Sequence, residues 1–150
     1  MLKFKDVYKT YKNGVTALYN VNLFIGQGEF VYIIGPTGSG KSTLIKLLDA
    51  EERPTKGQVE VAGIDIGKLR NSRIPFYRRH IGVVFQDYKL LPKKTVFENV
   101  MLALQIRSMP LLPARARVRE VLELVGLTDK ANSYPNQLSG GQQQRCVIAR

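Results

Sequence analysis

Cysteine and histidine are scarce in this sequence of 150 residues. Cys146 is the single cysteine and His80 the single histidine. One cysteine excludes an intrachain disulfide and a cysteine-rich metal site. Because Cys146 stands in an apolar run with Val147 and Ile148, we expect it to be a small buried hydrophobic residue. We expect His80 to lie at the surface.

Long hydrophobic runs are also missing. No apolar stretch approaches the length that spans a bilayer, and residues 1–5 lack the apolar middle of a signal peptide. We therefore expect the protein to be made and kept in the cytosol.

Acidic residues are few relative to basic ones. The chain has 12 Asp and Glu against 23 Lys and Arg, which gives a formal charge of +11. Such a balance favours a polyanionic neighbour: nucleic acid, an anionic lipid surface, or nucleotide. The basic residues are spread along the chain and form no single tract, so no nucleic-acid partner is expected.

One glycine-rich stretch is informative: residues 35–42 fit the phosphate-binding pattern G-x-x-x-x-G-K-[ST] without a mismatch. Residues 30–34 before it read as a buried strand, and residues 42–48 after it as a helix. The glycines let backbone N–H groups converge on a phosphate at the positive end of that helix. Lys41 would place a charge on the β- and γ-phosphates, and the Ser42 hydroxyl would bind Mg²⁺. The pattern predicts a nucleoside triphosphate site but leaves kinases, GTPases and ATPases open.

The remaining pattern predicts alternating strands and helices. Expected strands are residues 2–8, 17–25, 58–61 and 81–85, and the last one ends at Gln86. Expected helical segments are a turn at 74–79, a helix at 96–106 capped by Thr95 with Glu98, and a helix at 114–125 stopped by Gly126. Tyr11 is an aromatic residue at a strand end before the glycine loop, where it either stacks on an adenine face or covers the sheet edge. The arginines at 115, 117 and 119 are interpreted as a solvated helix face.

A second motif, L-S-G-G-Q at residues 138–142, precedes the last helix. Ser139 is a natural N-cap, and the helix then begins with Gly140 and Gly141. Each glycine costs a helix roughly 1 kcal/mol relative to alanine, which indicates that close approach of a ligand matters more here than helix strength.

Residues 35–42, Gln86 and residues 138–142, in that order, resemble the Walker A loop, Q-loop and signature motif of ABC-transporter nucleotide-binding domains. The resemblance covers the whole chain. It implies an α/β P-loop NTPase fold, with a RecA-like core, an antiparallel β subdomain and an α-helical subdomain, incomplete at the C-terminus. Residues 1–89 would form the β subdomain and P-loop core, 90–138 the helical subdomain and 139–150 the signature helix of one domain.

The resemblance also implies ATP and Mg²⁺ as ligands, with two subunits facing head to tail. Gln86 and Lys41 would be catalytic, Ser42 and Gln86 would reach the metal, and Tyr11 would stack on adenine. The residues that would bind nucleotide within the subunit are Tyr11, Gly35, Pro36, Thr37, Gly38, Ser39, Gly40, Lys41, Ser42 and Thr43. Those that would clamp the γ-phosphate bound to the partner subunit are Leu138, Ser139, Gly140, Gly141 and Gln142.

Residues 52–57, 71–87 and 90–92 resemble the FtsE-type branch of bacterial cell-division ATPases. That resemblance implies a homodimer on the cytoplasmic face of the membrane at the division site, with an integral membrane partner of FtsX type. Residues 90–130 would form the docking surface. The ATPases of lipoprotein release and macrolide export are the alternative.

In the family, the signature helix leads into a Walker B strand with its Mg²⁺-binding Asp and catalytic Glu, whereas this sequence stops at Arg150. We therefore expect the full-length protein to be an ATPase and this chain to bind nucleotide but hydrolyse it poorly. We also expect residues 30–34 to have an unpaired flank. A nucleotide-dependent dimerisation module without effective hydrolysis remains as the alternative of another class.

Overall fold

A computed structural model describes residues 1–85 and 87–150. The described chain forms two compact units, residues 1–82 and residues 83–150. Each unit has its own hydrophobic core. The predicted boundaries after residues 89 and 138 stay predictions.

The first unit contains an antiparallel sheet of four strands, in the order β2-β1-β3-β4. The strands are β1 (Leu2–Thr10), β2 (Thr16–Ile25), β3 (Lys56–Val61) and β4 (Ile64–Asp65). A tight turn joins β1 to β2, in which Gly14 N–H donates to the Tyr11 carbonyl at 2.9 Å. β1 pairs antiparallel with β2, and Phe4, Val7 and Lys9 of β1 are buried, with a register shift between Phe4 and Val7. The predicted strands at residues 2–8 and 17–25 are confirmed.

Helix α1 (Lys41–Leu48) follows the glycine loop, and the short helix α2 (Ile74–Arg78) begins with Pro75 in its first turn. Short 3₁₀ turns occupy Ile66–Lys68 and Asn71–Arg73. The core of this unit joins side chains from β1, β2, β3, α1 and α2. It comprises Phe4, Val7, Leu18, Leu44, Leu47, Ala50, Val59, Ile66 and Tyr77.

Two predicted strands are wrong. Neither residues 30–34 nor residues 81–85 form strands, and residues 30–34 are exposed, with Phe30 at 81 % and Ile34 at 91 %. A strand needs a neighbour to bond its backbone groups. Among the described residues no segment pairs with either stretch, so their apolar composition alone does not make them strands.

The second unit is helical. Its helices are α3 (Val96–Ile106), α4 (Leu111–Leu124) and α5 (Gly140–Ala149), with 3₁₀ turns at Thr128–Lys130 and Pro135–Gln137. The core comprises Val96, Val100, Met101, Ala114, Val118, Leu122, Leu127, Leu138 and Cys146. Cys146 is fully buried, as predicted, and burial raises the pKa of its thiol.

Local signals set the ends of these helices. The predicted capping box of α3 is present, since Thr95 Oγ1 accepts from Glu98 N–H at 3.2 Å and Glu98 Oε2 accepts from Thr95 N–H at 2.8 Å. Helix α4 starts at Leu111, three residues earlier than predicted, because a proline in the first turn lacks only an N–H that has no helical partner. Gly126, with φ of 64°, follows its end. In the described part of the chain, no helix is both long and apolar enough to cross a bilayer.

Candidate nucleotide-binding site

The glycine loop reaches α1 through two residues in the left-handed region. Gly38 has φ of 85° and Gly40, the N-cap of α1, has φ of 90°. A Cβ on Gly40 would lie 2.5 Å from the carbonyl oxygen of Ala17 and 2.8 Å from Cδ2 of Leu18. Position 40 therefore requires glycine for two reasons: its φ is positive, and β2 leaves no room for a side chain.

The Lys41 ammonium is held by the loop that precedes it. Its Nζ donates to the carbonyls of Gly35 at 2.7 Å and Pro36 at 2.6 Å, and to Ser39 Oγ at 3.3 Å. The first turn of α1 contains no acidic residue. A fixed positive charge thus lies at the positive end of a helix dipole, which is an electrostatic arrangement suited to an anion.

Ser42 and Thr43, the next two residues of α1, differ in exposure. Ser42 is exposed, whereas Thr43 is 7 % exposed and its Oγ1 lies 3.1 Å from the Tyr11 hydroxyl. The structure thereby joins Tyr11 to the helix that follows the glycine loop. Lys9 Nζ lies 5.1 Å from the centroid of the Tyr11 ring, a cation–π distance.

Sequence reasoning missed Lys9. It is 9 % exposed, and its Nζ donates to Glu52 Oε2 at 2.5 Å and to the Arg53 carbonyl at 2.9 Å. The usable signal was its position two residues after the buried Val7, on the same face of β1. A cleft of about 430 Å³ lies beside it, lined by Lys9, Thr10, Tyr11, Lys12, Asn13 and Glu52.

The far end of α1 is anchored from α2. The Tyr77 hydroxyl donates to the Leu48 carbonyl, and Arg78 Nε donates to the Asp49 carbonyl at 2.9 Å. Burial, with a smaller contribution from the Asp49 charge, raises the pKa of Tyr77 to about 12. Burial also raises the pKa of Asp49, against the opposing effect of the Arg78 charge.

In the second unit, the predicted N-cap of α5 is confirmed. Ser139 Oγ accepts from Gln142 N–H at 3.3 Å, and Gln142 Oε1 accepts from Ser139 N–H at 2.9 Å. The S-x-x-Q spacing was the missed signal for this capping box. A Cβ on Gly141 would meet nothing within 4 Å, and one on Gly140 would meet only the Tyr88 hydroxyl at 3.8 Å. The first turn of α5 is thus open to a ligand or a partner.

Gln86, predicted to be catalytic and to reach the metal, lies outside the described residues. The other predicted residues fall into two groups. Tyr11 and residues 35–43 lie in the first unit, and residues 138–142 lie in the second. Their nucleotide contacts stay predictions.

The known proteins to which this chain is similar in sequence are named as ATP-binding proteins. The chain is 54 % identical to the cell division ATP-binding protein FtsE of Bacillus subtilis, over all of this chain and 66 % of the relative. It is 50 % identical to FtsE of Streptococcus pneumoniae, over 65 % of that protein. It is also 47 % identical to the methionine import ATP-binding protein MetN of Helicobacter pylori, over 46 % of that protein. The chain thus spans somewhat less than two thirds of the length of these FtsE relatives.

A solved structure of the same kind is the ATP-binding cassette MJ0796, in a dimeric post-hydrolysis state bound to ADP and Pi. It superposes with a TM-score of 0.90 at 45 % identity, covering 99 % of this chain and 68 % of that one. This match confirms the predicted α/β P-loop fold class. The profile of the ABC transporter family matches residues 18–150. The chain therefore belongs to the ABC transporter family, and within it is similar to FtsE.

Proposed function

We propose that this chain is the ATP-binding part of an FtsE-like ATPase subunit that works with a membrane protein. The observation that carries the proposal is the Lys41 ammonium, which the carbonyls of the glycine loop hold at the N-terminus of α1. Family membership supports ATP as the nucleotide, because the similar FtsE and MetN proteins are named as ATP-binding.

The loop would bind the triphosphate by backbone N–H groups, and Lys41 would exchange its carbonyl contacts for the β- and γ-phosphate oxygens. Ser42 and Gln86 are the proposed Mg²⁺ ligands. Among the described residues, no cluster of three or more His, Cys, Asp or Glu side chains could hold a metal. The exposed Ser42 hydroxyl is a suitable protein ligand for a Mg²⁺ ion that is otherwise bound by phosphate oxygens and water. The ion would neutralise charge on the phosphates.

Tyr11 would stack on the adenine ring, and residues 35–43 would complete the site. The bond between its hydroxyl and Thr43 Oγ1 supports this role, because it ties the ring to α1. The cleft of about 430 Å³ beside Tyr11 offers space next to the ring.

We further propose a head-to-tail homodimer in which Leu138, Ser139, Gly140, Gly141 and Gln142 of one copy contact the γ-phosphate bound to the other. The capping box leaves the first turn of α5 open at Gly141, so its N–H groups are accessible to an anion. The dimeric MJ0796 cassette with ADP and Pi supports such an arrangement by similarity.

The proposed partner is an integral membrane protein of FtsX type, docked on residues 90–130 at the cytoplasmic face of the membrane and at the division site. Similarity to FtsE supports this choice. Similarity to MetN at 47 % identity favours a second candidate, an ATP-binding subunit of an importer. The ATPases of lipoprotein release and macrolide export stay as a further alternative.

The proposal is tested by ATP affinity and phosphate release of the full-length protein with Lys41→Ala. Lys46→Ala is the matched control, since Lys46 lies on the same helix but pairs with Glu51 at 3.1 Å. We expect Lys41→Ala to weaken ATP binding by roughly 10- to 100-fold, because charge-assisted hydrogen bonds are lost. Lys46→Ala should change it less than twofold. Equal affinities in the two variants would refute the role of Lys41.

Hydrolysis is judged separately from binding. Phosphate release by the unmodified protein, abolished by Lys41→Ala, supports an ATPase. ATP-dependent dimerisation without phosphate release supports instead a dimerisation module that binds nucleotide and does not turn it over.

A further inference from the structure

The second unit contains a cavity of about 420 Å³ that the nucleotide site does not use. It lies between the start of α3, the outer face of α4 and residues 128–132. Its apolar part is formed by Phe97, Leu122 and Ala131. Its polar part is formed by Arg115, Arg119, Thr128 and Asn132.

The walls of this cavity are tied together by backbone bonds. Phe97 N–H donates to the Ala131 carbonyl at 2.9 Å, and Val96 N–H donates to the Ser133 carbonyl at 2.9 Å. Leu122, 1 % exposed, is part of the core of the unit. The backbone around the cavity is therefore held in place, so binding there requires little ordering of the main chain.

Arg115 and Arg119 bring two positive charges to this cavity. They are four residues apart, so they lie on the same face of α4. Within the described parts of the chain, neither arginine makes an ion pair, although Glu123 follows Arg119 by one turn. Arg117, by contrast, is paired with Glu120 at 3.0 Å.

The hydrogen-bond donors that line the cavity indicate an anionic ligand. Two guanidinium groups, the Thr128 hydroxyl and the Asn132 amide can all donate to an anionic oxygen, and planar guanidinium matches a carboxylate in two-bond geometry. Phe97 and Ala131, which are partly exposed, add apolar surface beside them. A lipid surface is the poorer fit, because membrane attraction relies on clusters of about four to eight basic residues.

We propose that this cavity binds an acidic segment of a partner polypeptide, with a carboxylate on Arg115 and Arg119 and a neighbouring apolar side chain on Phe97. The site is formed entirely by residues of the second unit and does not depend on the nucleotide assignment. It lies mostly within residues 90–130, so for a membrane partner it rests on the docking surface proposed above. It gives the chain a recognition site for an acidic side chain that has an apolar neighbour in the partner.

The test is calorimetric titration of the full-length protein, in a buffer without phosphate, with an acetylated and amidated hexapeptide of alternating leucine and glutamate. A second hexapeptide carries glutamine in place of glutamate. Arg115→Gln and Arg119→Gln are the test variants. Arg117→Gln is the matched control, because it removes the same charge from the same helix outside the cavity. Unchanged thermal midpoints verify that all three variants fold.

We expect the glutamate peptide to bind with Kd below about 1 mM and the glutamine peptide at least fivefold more weakly. Arg115→Gln and Arg119→Gln should each weaken the first peptide roughly five- to tenfold, as expected for partly exposed charged hydrogen bonds. Arg117→Gln should change it less than twofold. Lys41→Ala should leave peptide binding intact, so a failed nucleotide assignment does not affect this result.

Four outcomes would overturn the proposal. These are no binding of the glutamate peptide at 5 mM, equal affinity for the glutamine peptide, or an equal loss in Arg117→Gln. The fourth is arginine-dependent binding of inorganic phosphate, or of vesicles containing phosphatidylglycerol, that matches or exceeds peptide binding.

Discussion

At the scale of single residues, Gly40 carries the strongest geometric demand of the nucleotide loop. It combines a φ of 90° with a position where an added Cβ would lie 2.5 Å from a backbone oxygen of β2. Gly14, in the β1–β2 turn, has a similar φ of 83° but nothing within 4 Å of an added Cβ. A side chain at position 14 would suffer only backbone strain, whereas one at position 40 would suffer backbone strain and a steric clash with β2.

Substitution by alanine should distinguish them. Gly14→Ala should lower the free energy of unfolding by about 1 kcal/mol, the cost of a left-handed alanine. Gly40→Ala should lower it by about 2 to 4 kcal/mol, because strain and overpacking add. Urea denaturation measures both. Equal losses would mean that β2 yields to the new methyl group at no cost.

The Tyr11 side chain offers two separable groups, its hydroxyl and its ring. Tyr11→Phe loses only the bond to Thr43 Oγ1, whereas Tyr11→Leu also loses the aromatic face. If the ring stacks on adenine, Tyr11→Leu should weaken ATP binding about tenfold, in line with base stacking of about 1 to 3 kcal/mol. Tyr11→Phe should weaken it no more than about threefold. Fluorescence titration with a labelled ATP gives both values, and comparable losses in the two variants would argue against stacking.

At the scale of elements, structure that depends on local sequence signals could be predicted, whereas the pairing of strands that are distant in sequence could not. Helix α3 has its predicted bounds because its signals are local. Thr95 and Glu98 form the capping box at its start, and its apolar residues lie within the helix itself. Residues 30–34 look equally regular in sequence, but a strand depends on a neighbour supplied from elsewhere. The buried Asn99 had no local signal, since its side-chain bonds to the Leu91 N–H and the Lys94 carbonyl form only once the loop has folded.

The cap of α3 supplies the prediction at this scale. Thr95→Ala removes the acceptor of the Glu98 N–H and should lower the free energy of unfolding by about 1 kcal/mol. Ser72→Ala, at an exposed position of the 3₁₀ turn Asn71–Arg73, should change it by less than about 0.5 kcal/mol. Denaturant curves of the two variants provide the comparison. A loss in Ser72→Ala as large as in Thr95→Ala would remove the special role of the cap.

At the scale of the molecule, each of the two units contains part of the proposed binding residues. Residues of the first unit present the glycine loop and Tyr11, and residues of the second present the open first turn of α5 and the arginine-lined cavity. Most of the candidate site residues could be proposed from the sequence because they lie in two continuous motifs, residues 35–42 and 138–142, and their nucleotide contacts stay predictions. Lys9 was not, because its contact with Glu52 joins positions 43 residues apart. The net charge of +11 suits several anionic ligands and selects none.

The most direct measurement is an NMR titration of the ¹⁵N-labelled protein with Mg²⁺ and ATP, following the backbone amides of Gly38 and Gly40. If these N–H groups bind the β- and γ-phosphates, both signals shift saturably with ATP and stay in place with AMP, which lacks those phosphates. Lys41→Ala should raise the ATP concentration needed by at least tenfold. Amides of Gly38 and Gly40 that stay in place at saturating ATP, or that respond equally to AMP, would contradict a triphosphate site in this loop.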